Sequence, residues 1–248
     1  MRCGRRRLTQ LLSRLDELGL IVRPTSAGSS RLAPSDRGIA YLARRDRTSV
    51  GIARKRWSPE RREERGSLDW RNVTGIRSRQ LLRNLEHTRS VHWFNSLLAR
   101  QAREQDSRIV QLDPPHRASR YFRSQEWMRS IQPDAYALLQ TPEGEQAFFL
   151  EWERRAVRPA TMTARLAAYL RYYATSRPLE DHGLLPRALV VFDDELAADH
   201  FLRVAAEVVA RTEVPLPLLV SDRRRIEQHG PLGRAWRSVE RSAPIGLG

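Results

Sequence analysis

An apolar stripe near the amino terminus has the spacing of an amphipathic helix, with leucine at positions 8, 11, 12, 15 and 18. A helix is therefore predicted over residues 8–18, and Gly19 is placed to end it. The elements predicted after it are a strand at 20–22, a turn at 26–30, a strand at 31–34 and a helix at 36–45. Ser35 stands where the N-cap of that helix is needed.

From residue 78 onward the apolar pattern predicts alternating helices and strands. The predicted elements are a helix at 78–105, a strand at 110–112, an irregular or extended stretch at 121–127, strands at 134–140 and 146–153, a helix at 161–176, a strand at 187–192, a helix at 195–212 and a strand at 216–220. This order predicts an α/β fold with a mixed sheet flanked by helices. The predicted domains are 1–46 and 78–248, joined by a charged, basic linker at 47–77.

The charge of the chain is strongly positive and unevenly distributed. The 248 residues include 44 Lys and Arg against 29 Asp and Glu, a net charge of +15 with a pI of about 11.2. Residues 1–66 alone hold 17 basic and 7 acidic residues. Clustered positive charge binds phosphate backbones, so DNA or RNA is the expected partner. Every basic residue except Lys55 is arginine, and a GC-rich genome is the competing explanation for part of this excess.

Several protein classes are excluded by the sequence. Cys3 is the single cysteine, which excludes an internal disulfide and a cysteine-ligated metal. No apolar run approaches the roughly 18 residues of a membrane helix, and the basic amino terminus has no apolar signal core. A cytoplasmic protein without a membrane partner is expected. Neither a P-loop nor a Gly-x-Gly-x-x-Gly motif occurs, so neither nucleotide hydrolysis nor a dinucleotide cofactor is indicated.

Three acidic residues fall on two strands that a turn at 141–144 predicts to be adjacent. Asp134 and Glu151 stand at nearly equal distances from this turn, so hairpin pairing is expected to bring them together. Glu151 and Glu153 are two positions apart and face the same way along a strand, while Trp152 faces the opposite way. Clustered carboxylates repel and raise one another's pKa unless a cation neutralises them.

This carboxylate cluster has the ligand chemistry of a magnesium or manganese site. Hard oxygen ligands suit Mg²⁺ or Mn²⁺, and such an ion polarises a phosphodiester and lowers the pKa of an attacking water. Asp134, Glu151 and Glu153 are therefore the predicted metal ligands and catalytic residues. The competing interpretation is a solvated strand edge whose glutamates pair with neighbouring arginines.

A Pro-Asp pair followed by an acid-x-polar pair at the end of an apolar strand resembles the core of the PD-(D/E)xK nucleases. The resemblance implies a nuclease-like mixed sheet flanked by helices. Glu153 occupies the place of the lysine in that pattern, as glutamate does in some restriction endonucleases of the superfamily, where it acts as base or second ligand. Arg154 or Arg155 could supply the missing positive charge, because arginine can hold a phosphate oxygen.

The amino-terminal segment is similar to the C-terminal part of a winged helix-turn-helix domain. The similarity rests on the first helix, the residues 17–21, the basic hairpin and the capped second helix. The helices that usually precede this part are absent from the sequence, so either a mis-assigned start or a truncated, partial domain that depends on another part is expected. A small helical cap is the competing interpretation. The resemblance implies that two groups of arginines contact DNA. The arginines of the helix are Arg5, Arg6, Arg7 and Arg14, and those of the wing are Arg23 and Arg31.

A narrower resemblance covers most of the chain from residue 78 onward. The sequences PDA at 133–135, FFLEWER at 148–154, ARLAAYLRYY at 164–173 and RALVVF at 187–192 resemble the replication-relaxation family of bacterial plasmids and mobile elements. His87 matches a helical Leu-x-His of that family, whereas its Gly-Thr pair after the acids is absent. The resemblance implies a role in replicating, relaxing or nicking element DNA, with other replication or mobile-element proteins as partners.

Weaker candidates lie on the predicted helices that precede and follow the triad. Glu86 is a candidate fourth carboxylate or an exposed helix residue, and Arg165 is a candidate phosphate contact or a solvated residue. Three tyrosines at i, i+3 and i+4 on the same helix predict a core stripe: Tyr169, Tyr172 and Tyr173. Two tryptophans are interpreted as core residues rather than base-stacking platforms, Trp127 and Trp152.

Two functions are consistent with these patterns. The first is a DNA-binding protein of plasmid or mobile-element replication or relaxation, with a magnesium-dependent endonuclease (nicking) site. The second is a non-catalytic DNA-binding accessory or regulator that uses a degenerate nuclease-like scaffold for partner interaction, as the absent lysine favours. A protein-interaction subunit of a larger mobile-element complex fits the partial winged helix.

Overall fold

A computed structural model of the chain describes residues 5–23, 25–26, 29–30, 32–61, 71–154, 159–239 and 243–247. The chain divides into two compact units, residues 1–88 and 89–248. Arg31 and Arg155, which the sequence proposes as phosphate contacts, lie outside the described residues. No helix within the described ranges is long and apolar enough to cross a membrane.

The first unit has the predicted helix, hairpin and second helix. Its described elements are α1 (Arg5–Glu17), β1 (Ile21–Val22), β2 (Thr25–Ser26), β3 (Ser29–Ser30), β4 (Ala33–Pro34), α2 (Asp36–Arg45), α3 (Val50–Trp57) and α4 (Ile76–Arg83). β1 pairs antiparallel with β4, and β2 with β3. Gly19 adopts φ 63° just past α1, and the Ser35 hydroxyl accepts a hydrogen bond from the Gly38 amide at 3.0 Å as the N-cap of α2.

Two features of this unit differ from the sequence predictions. Residues 50–57, placed in the predicted linker, form α3, which packs against α2 and α4. None of the residues of α3 is buried, which is why no apolar period marks it. The predicted helix over 78–105 is interrupted at Asn84, which ends α4. Helix α1 has the predicted apolar stripe, yet none of its residues is buried.

Gly38 allows α2 to pass very close to the chain before β1. A Cβ at this position would lie 2.1 Å from the carbonyl oxygen of Leu20, and a backbone atom cannot move aside as a side chain can. We expect Gly38→Ala to lower the free energy of unfolding by at least about 2 kcal/mol, measured by urea denaturation. Gly51→Ala is the matched control, because its Cβ would meet only the Ser49 hydroxyl at 3.9 Å. Equal effects of the two substitutions would contradict the steric explanation.

The second unit is built on a six-stranded mixed sheet, as the predicted α/β class requires. Its order is β12-β11-β10-β9-β8-β5, in which β9, β10 and β11 are parallel and the other pairs are antiparallel. The elements are α5 (Leu85–Glu104, which begins in the first unit), β5 (Arg108–Asp113), α6 (Pro115–Ala118), β6 (Arg120–Ser124), β7 (Trp127–Ile131), β8 (Ala135–Thr141), β9 (Gly144–Glu153), α7 (Pro159–Tyr173), α8 (Arg177–His182), β10 (Arg187–Phe192), α9 (Glu195–Val209), β11 (Leu218–Asp222), α10 (Arg223–His229) and β12 (Arg237–Ser238).

Both faces of this sheet are covered by apolar clusters. On one face the sheet packs against α7 and α9, and on the other against α5, α10 and the residues near the carboxyl terminus. Strand β10 is buried on both faces, as its uninterrupted apolar run predicts. Residues 120–131, predicted only as irregular or extended in part, form a separate antiparallel hairpin of β6 and β7.

Candidate functional site

The β8–β9 hairpin brings Asp134 next to Glu151, as the sequence predicts. Its register pairs Thr141 with Gly144 at the turn and Ala135 with Leu150 at the other end. Beyond that pair the Asp134 amide donates to the Leu150 carbonyl at 2.8 Å, and its carboxylate accepts the Trp152 amide at 2.8 Å. Asp134 is thus fixed against β9 on either side of Glu151, by its backbone amide at Leu150 and by its carboxylate at Trp152.

Glu151 is a buried acid in the middle of this arrangement, only 6% exposed. The Tyr169 hydroxyl, on α7, donates to Oε1 of Glu151 at 2.8 Å. Oε2 of Glu151 lies 3.6 Å from Arg165 Nη1, which is too long for a hydrogen bond. Burial, followed by the nearby Asp134 carboxylate, raises the pKa of Glu151 to about 8, although Arg165 and Tyr169 act to lower it. Glu151 is therefore mainly protonated at neutral pH.

Glu153 and Arg165 form an ion pair beside Glu151. The sequence predicts that Glu151 and Glu153 share a face of β9, and both contact α7, whereas Trp152 packs in the opposite cluster. Arg165 was proposed as a phosphate contact, and the structure places its guanidinium against both glutamates. Arg154, the one described residue of the two arginines that the sequence proposed for a positive charge here, lies 3.7 Å from an Asp193 oxygen.

A small cavity lies between α7 and the sheet at this position. Its volume is about 20 Å³, enough for about one water molecule, and Glu151, Glu153, Arg165 and Tyr169 are among its lining residues. The remaining lining side chains are largely apolar. This apolar surrounding explains why burial is the main cause of the raised Glu151 pKa.

Acidic residues end or directly follow all three parallel strands at the same edge of the sheet. The register aligns Glu153 and Asp222 with Phe192, and Asp193 comes directly after it. The carboxyl ends of parallel strands are where α/β proteins commonly bind ligands. Asp222 is only 1% exposed and accepts the Arg225 amide at 3.0 Å as the N-cap of α10.

Asp193 joins the end of β9 to α10 through a compact polar network. Its Oδ1 accepts the indole N–H of Trp152 at 3.0 Å and two hydrogen bonds from Arg223, at 2.9 and 3.2 Å. The Arg223 guanidinium lies 5.0 Å from the ring centre of Trp152 and 5.3 Å from that of Trp93, within the range of cation–π attraction. Arg223 also donates to the Ser90 hydroxyl at 2.8 Å. Trp152, which separates the two glutamates of β9, is therefore held on several sides.

The acids at the end of β9 have the right donor chemistry for a divalent cation. Their carboxylate oxygens suit Mg²⁺ or Mn²⁺, and a cation of the chain, Arg165, already lies against Glu151 and Glu153. One guanidinium does not offset the burial of Glu151, whose pKa remains about 8. Within the described ranges, no group of three or more His, Cys, Asp or Glu side chains is in position to hold a metal ion. A metal would have to compete with Arg165 for the glutamate oxygens.

The other residues proposed from the sequence lie in the first unit. The arginines proposed on the first helix are all exposed on α1, Arg5, Arg6, Arg7 and Arg14. Arg23 forms an ion pair with Asp16, with 3.1 Å between Nε and Oδ2. Glu86 and His87 lie in the first turn of α5.

Two residues of the site were not found from the sequence. The tyrosine stripe of α7 is buried as predicted, but the hydroxyl of Tyr169 is directed at Glu151, and burial raises its pKa well above the usual value. Tyr169 follows Arg165 by four positions, so both side chains lie on one face of α7. This spacing could have indicated that they contact the same group. Asp193 directly follows a buried strand, and the carboxyl end of such a strand is itself a signal.

No family model matches this chain, and no curated protein matches it closely enough to be a relative. Function is therefore inferred from the geometry of the second unit and from the distribution of charge along the chain.

Proposed function

We propose that the protein binds DNA and that its second unit is a nuclease-like domain with a metal-dependent phosphodiesterase (nicking) site. Its ligands and catalytic groups would be Asp134, Glu151 and Glu153, which a metal would have to draw together in place of Arg165. Glu151 carries the proposal, because it is a buried acid next to a second acid. A buried carboxyl group is unfavourable for folding, and strongly perturbed pKa values concentrate at functional sites.

The setting of these acids supports the nuclease-like assignment. They lie on adjacent strands of a mixed sheet flanked by helices, as the PD-(D/E)xK resemblance implies. The resemblance of residues 133–192 to the replication-relaxation family points to the DNA of plasmids or mobile elements. The proposed role is in replication or relaxation of such DNA, together with other proteins of the element.

Each side chain has a defined task in this proposal. Bound Mg²⁺ or Mn²⁺ would polarise the phosphodiester and lower the pKa of the attacking water. Tyr169 orients Glu151 through its hydrogen bond to Oε1. Arg165 offers planar donors that suit a phosphate oxygen. The exposed arginines of α1 attract the DNA backbone in a salt-dependent manner.

Calorimetric titration with Mn²⁺ at pH 8.5, followed by plasmid nicking with the same samples, tests the site. We expect the wild type to bind Mn²⁺ and the double variant Asp134→Ala/Glu151→Gln to lose binding and nicking together. Glu145→Gln, an exposed acid on the same strand, is the matched control and should behave as the wild type. Absence of Mn²⁺ binding by the wild type would show that the acids are not a metal site.

The contact of Arg165 with both glutamates favours a second candidate function. A chain cation that permanently replaces the metal would make the protein a non-catalytic DNA-binding accessory or regulator. In that case DNA affinity would be unchanged by EDTA and by Asp134→Ala, and no DNA would be cleaved. Substituting glutamate at Arg5, Arg6 and Arg7 would still reduce the salt dependence of DNA binding.

A further inference from the structure

The β6–β7 hairpin carries exposed aromatic and apolar side chains among arginines. Tyr121 and Trp127 are each 65% exposed and Met128 is 68% exposed. Arg123, directly opposite Met128 in the hairpin register, and Arg129 are exposed as well. The interpretation of Trp127 as a core residue is therefore wrong. The Trp127 residue flanks the two-residue turn of the hairpin, beyond the part that packs on the core.

The base of this hairpin is firmly anchored. Phe122 and Ile131 are each 2% exposed and belong to the apolar cluster beneath α7. The Arg120 guanidinium donates to the Arg117 carbonyl at 2.6 Å and lies 5.2 Å from the ring centre of Tyr136. The exposed side chains are thus presented on a fixed support, which lowers the entropy lost when they bind a ligand.

The hairpin is directly connected to the proposed active site. Strand β7 ends at Ile131, three positions before Asp134. Both strands of the hairpin contact α7, the helix that carries Arg165 and Tyr169. A ligand held on the hairpin would therefore lie on the same unit as the acids and next to the strand that leads into them.

The register places Tyr121 and Arg123 on one face of the hairpin, and Trp127 and Arg129 on the other. We propose that the β6–β7 hairpin binds single-stranded nucleic acid that passes around its turn, with bases stacked on Tyr121 and Trp127 and phosphates contacted by Arg123 and Arg129. Exposed aromatic rings combined with cations form the usual surface for unpaired bases, because each base has a face that can stack. Intact duplex does not offer these faces. The segment 120–131 contains three arginines and one acid, Glu126, so its charge complements a polyanion. This inference rests on the proposed DNA-binding function and adds a strand preference to it.

Fluorescence anisotropy of a labelled thymidine oligonucleotide and of a mixed-sequence duplex tests the hairpin. We expect Tyr121→Ala and Trp127→Ala each to weaken single-strand binding about tenfold or more, with little change on the duplex. Arg123→Gln and Arg129→Gln should each reduce the slope of log affinity against log salt by about 0.7 on the single strand.

Two substitutions on α9 provide matched controls, because both positions are exposed in the same unit. Leu196 is 80% exposed and Arg203 is exposed as well, so Leu196→Ala and Arg203→Gln should leave binding unchanged. Circular dichroism of every variant establishes that the fold is retained. Single-strand affinities of the aromatic variants equal to that of the wild type would overturn the inference.

The possible results separate this inference from the proposed active site. Wild-type protein that binds duplex but not single strands would overturn the role of the hairpin and leave the metal site standing. Hairpin variants that lose single-strand binding, in a protein that neither binds Mn²⁺ nor nicks, would overturn the metal site alone. Aromatic variants that convert a dimer to a monomer without changing affinity would show that the hairpin binds a second copy of the chain.

Discussion

Between pH 6 and pH 8 the affinity of the protein for Mn²⁺ is expected to rise about 50-fold, because a metal must displace the proton of Glu151. The pKa of that group is about 8 in the folded protein, so the carboxylate form is scarce at pH 6 and half-populated at pH 8. Calorimetry in buffers of different ionisation enthalpy should detect release of about one proton per Mn²⁺ bound below pH 7.

The same pKa predicts how the stability of the metal-free protein depends on pH. The folded-state pKa of Glu151 lies above its usual value of 4.5, so its contribution to stability is fully present below pH 4.5 and is lost as the pH rises through 8. We expect the free energy of unfolding of the wild type to fall across this window and that of Glu151→Gln to fall less. Mn²⁺ affinity that is flat from pH 6 to pH 8 would contradict a protonated Glu151 at the metal site.

Asp193→Ala is expected to lower the free energy of unfolding by about 2–3 kcal/mol. The substitution leaves the Trp152 indole N–H without its acceptor and the Arg223 guanidinium without its carboxylate. The Asp193 and Arg223 side chains are largely shielded from water, with 25% and 34% of their surface exposed. The expected loss of stability therefore exceeds that of a surface ion pair. Guanidinium denaturation followed by tryptophan fluorescence measures the change.

Arg154→Ala is the matched control for this prediction. Arg154 contacts the same carboxylate, but at 3.7 Å and with 41% of its side chain exposed, so a loss below about 0.5 kcal/mol is expected. Asp193→Asn keeps an acceptor for the indole N–H, so its loss of stability should lie between those of Asp193→Ala and Arg154→Ala. Because Asp193 fixes the tryptophan between the two glutamates, Asp193→Ala should also weaken Mn²⁺ binding. Similar losses from Asp193→Ala and Arg154→Ala would show that the network does not stabilise the fold.

The strands that carry the acids could be predicted because their local signals agree. The turn at 141–144 sets the distance from the hairpin end to Asp134 and Glu151, and the two-residue repeat of a strand sets the common face of Glu151 and Glu153. The cap at Ser35 was equally local, since it needs only the spacing to Gly38.

The features that were missed depend on tertiary packing. The sequence does not distinguish Arg165 from an arginine on the solvated face of a helix. Only the packing of α7 on the sheet brings its guanidinium to the two glutamates. Trp127 has the hydrophobicity of a core residue, yet its place beside a hairpin turn exposes it. Helix α3 has no buried face, so no apolar period could reveal it.

Strand β9 also limits the alternative structures that the chain can adopt. Its residues alternate between two apolar clusters, with Trp152 facing one and the flanking glutamates facing the other. A slip of one residue against β8 would exchange these faces, forcing both acids among Phe94, Leu98 and the aromatic residues around them. The slipped pairing is thereby penalised by the same carboxylates that are proposed to bind metal. Variants that neutralise both acids would lose this discrimination, and mispaired forms of the hairpin would become more accessible during folding.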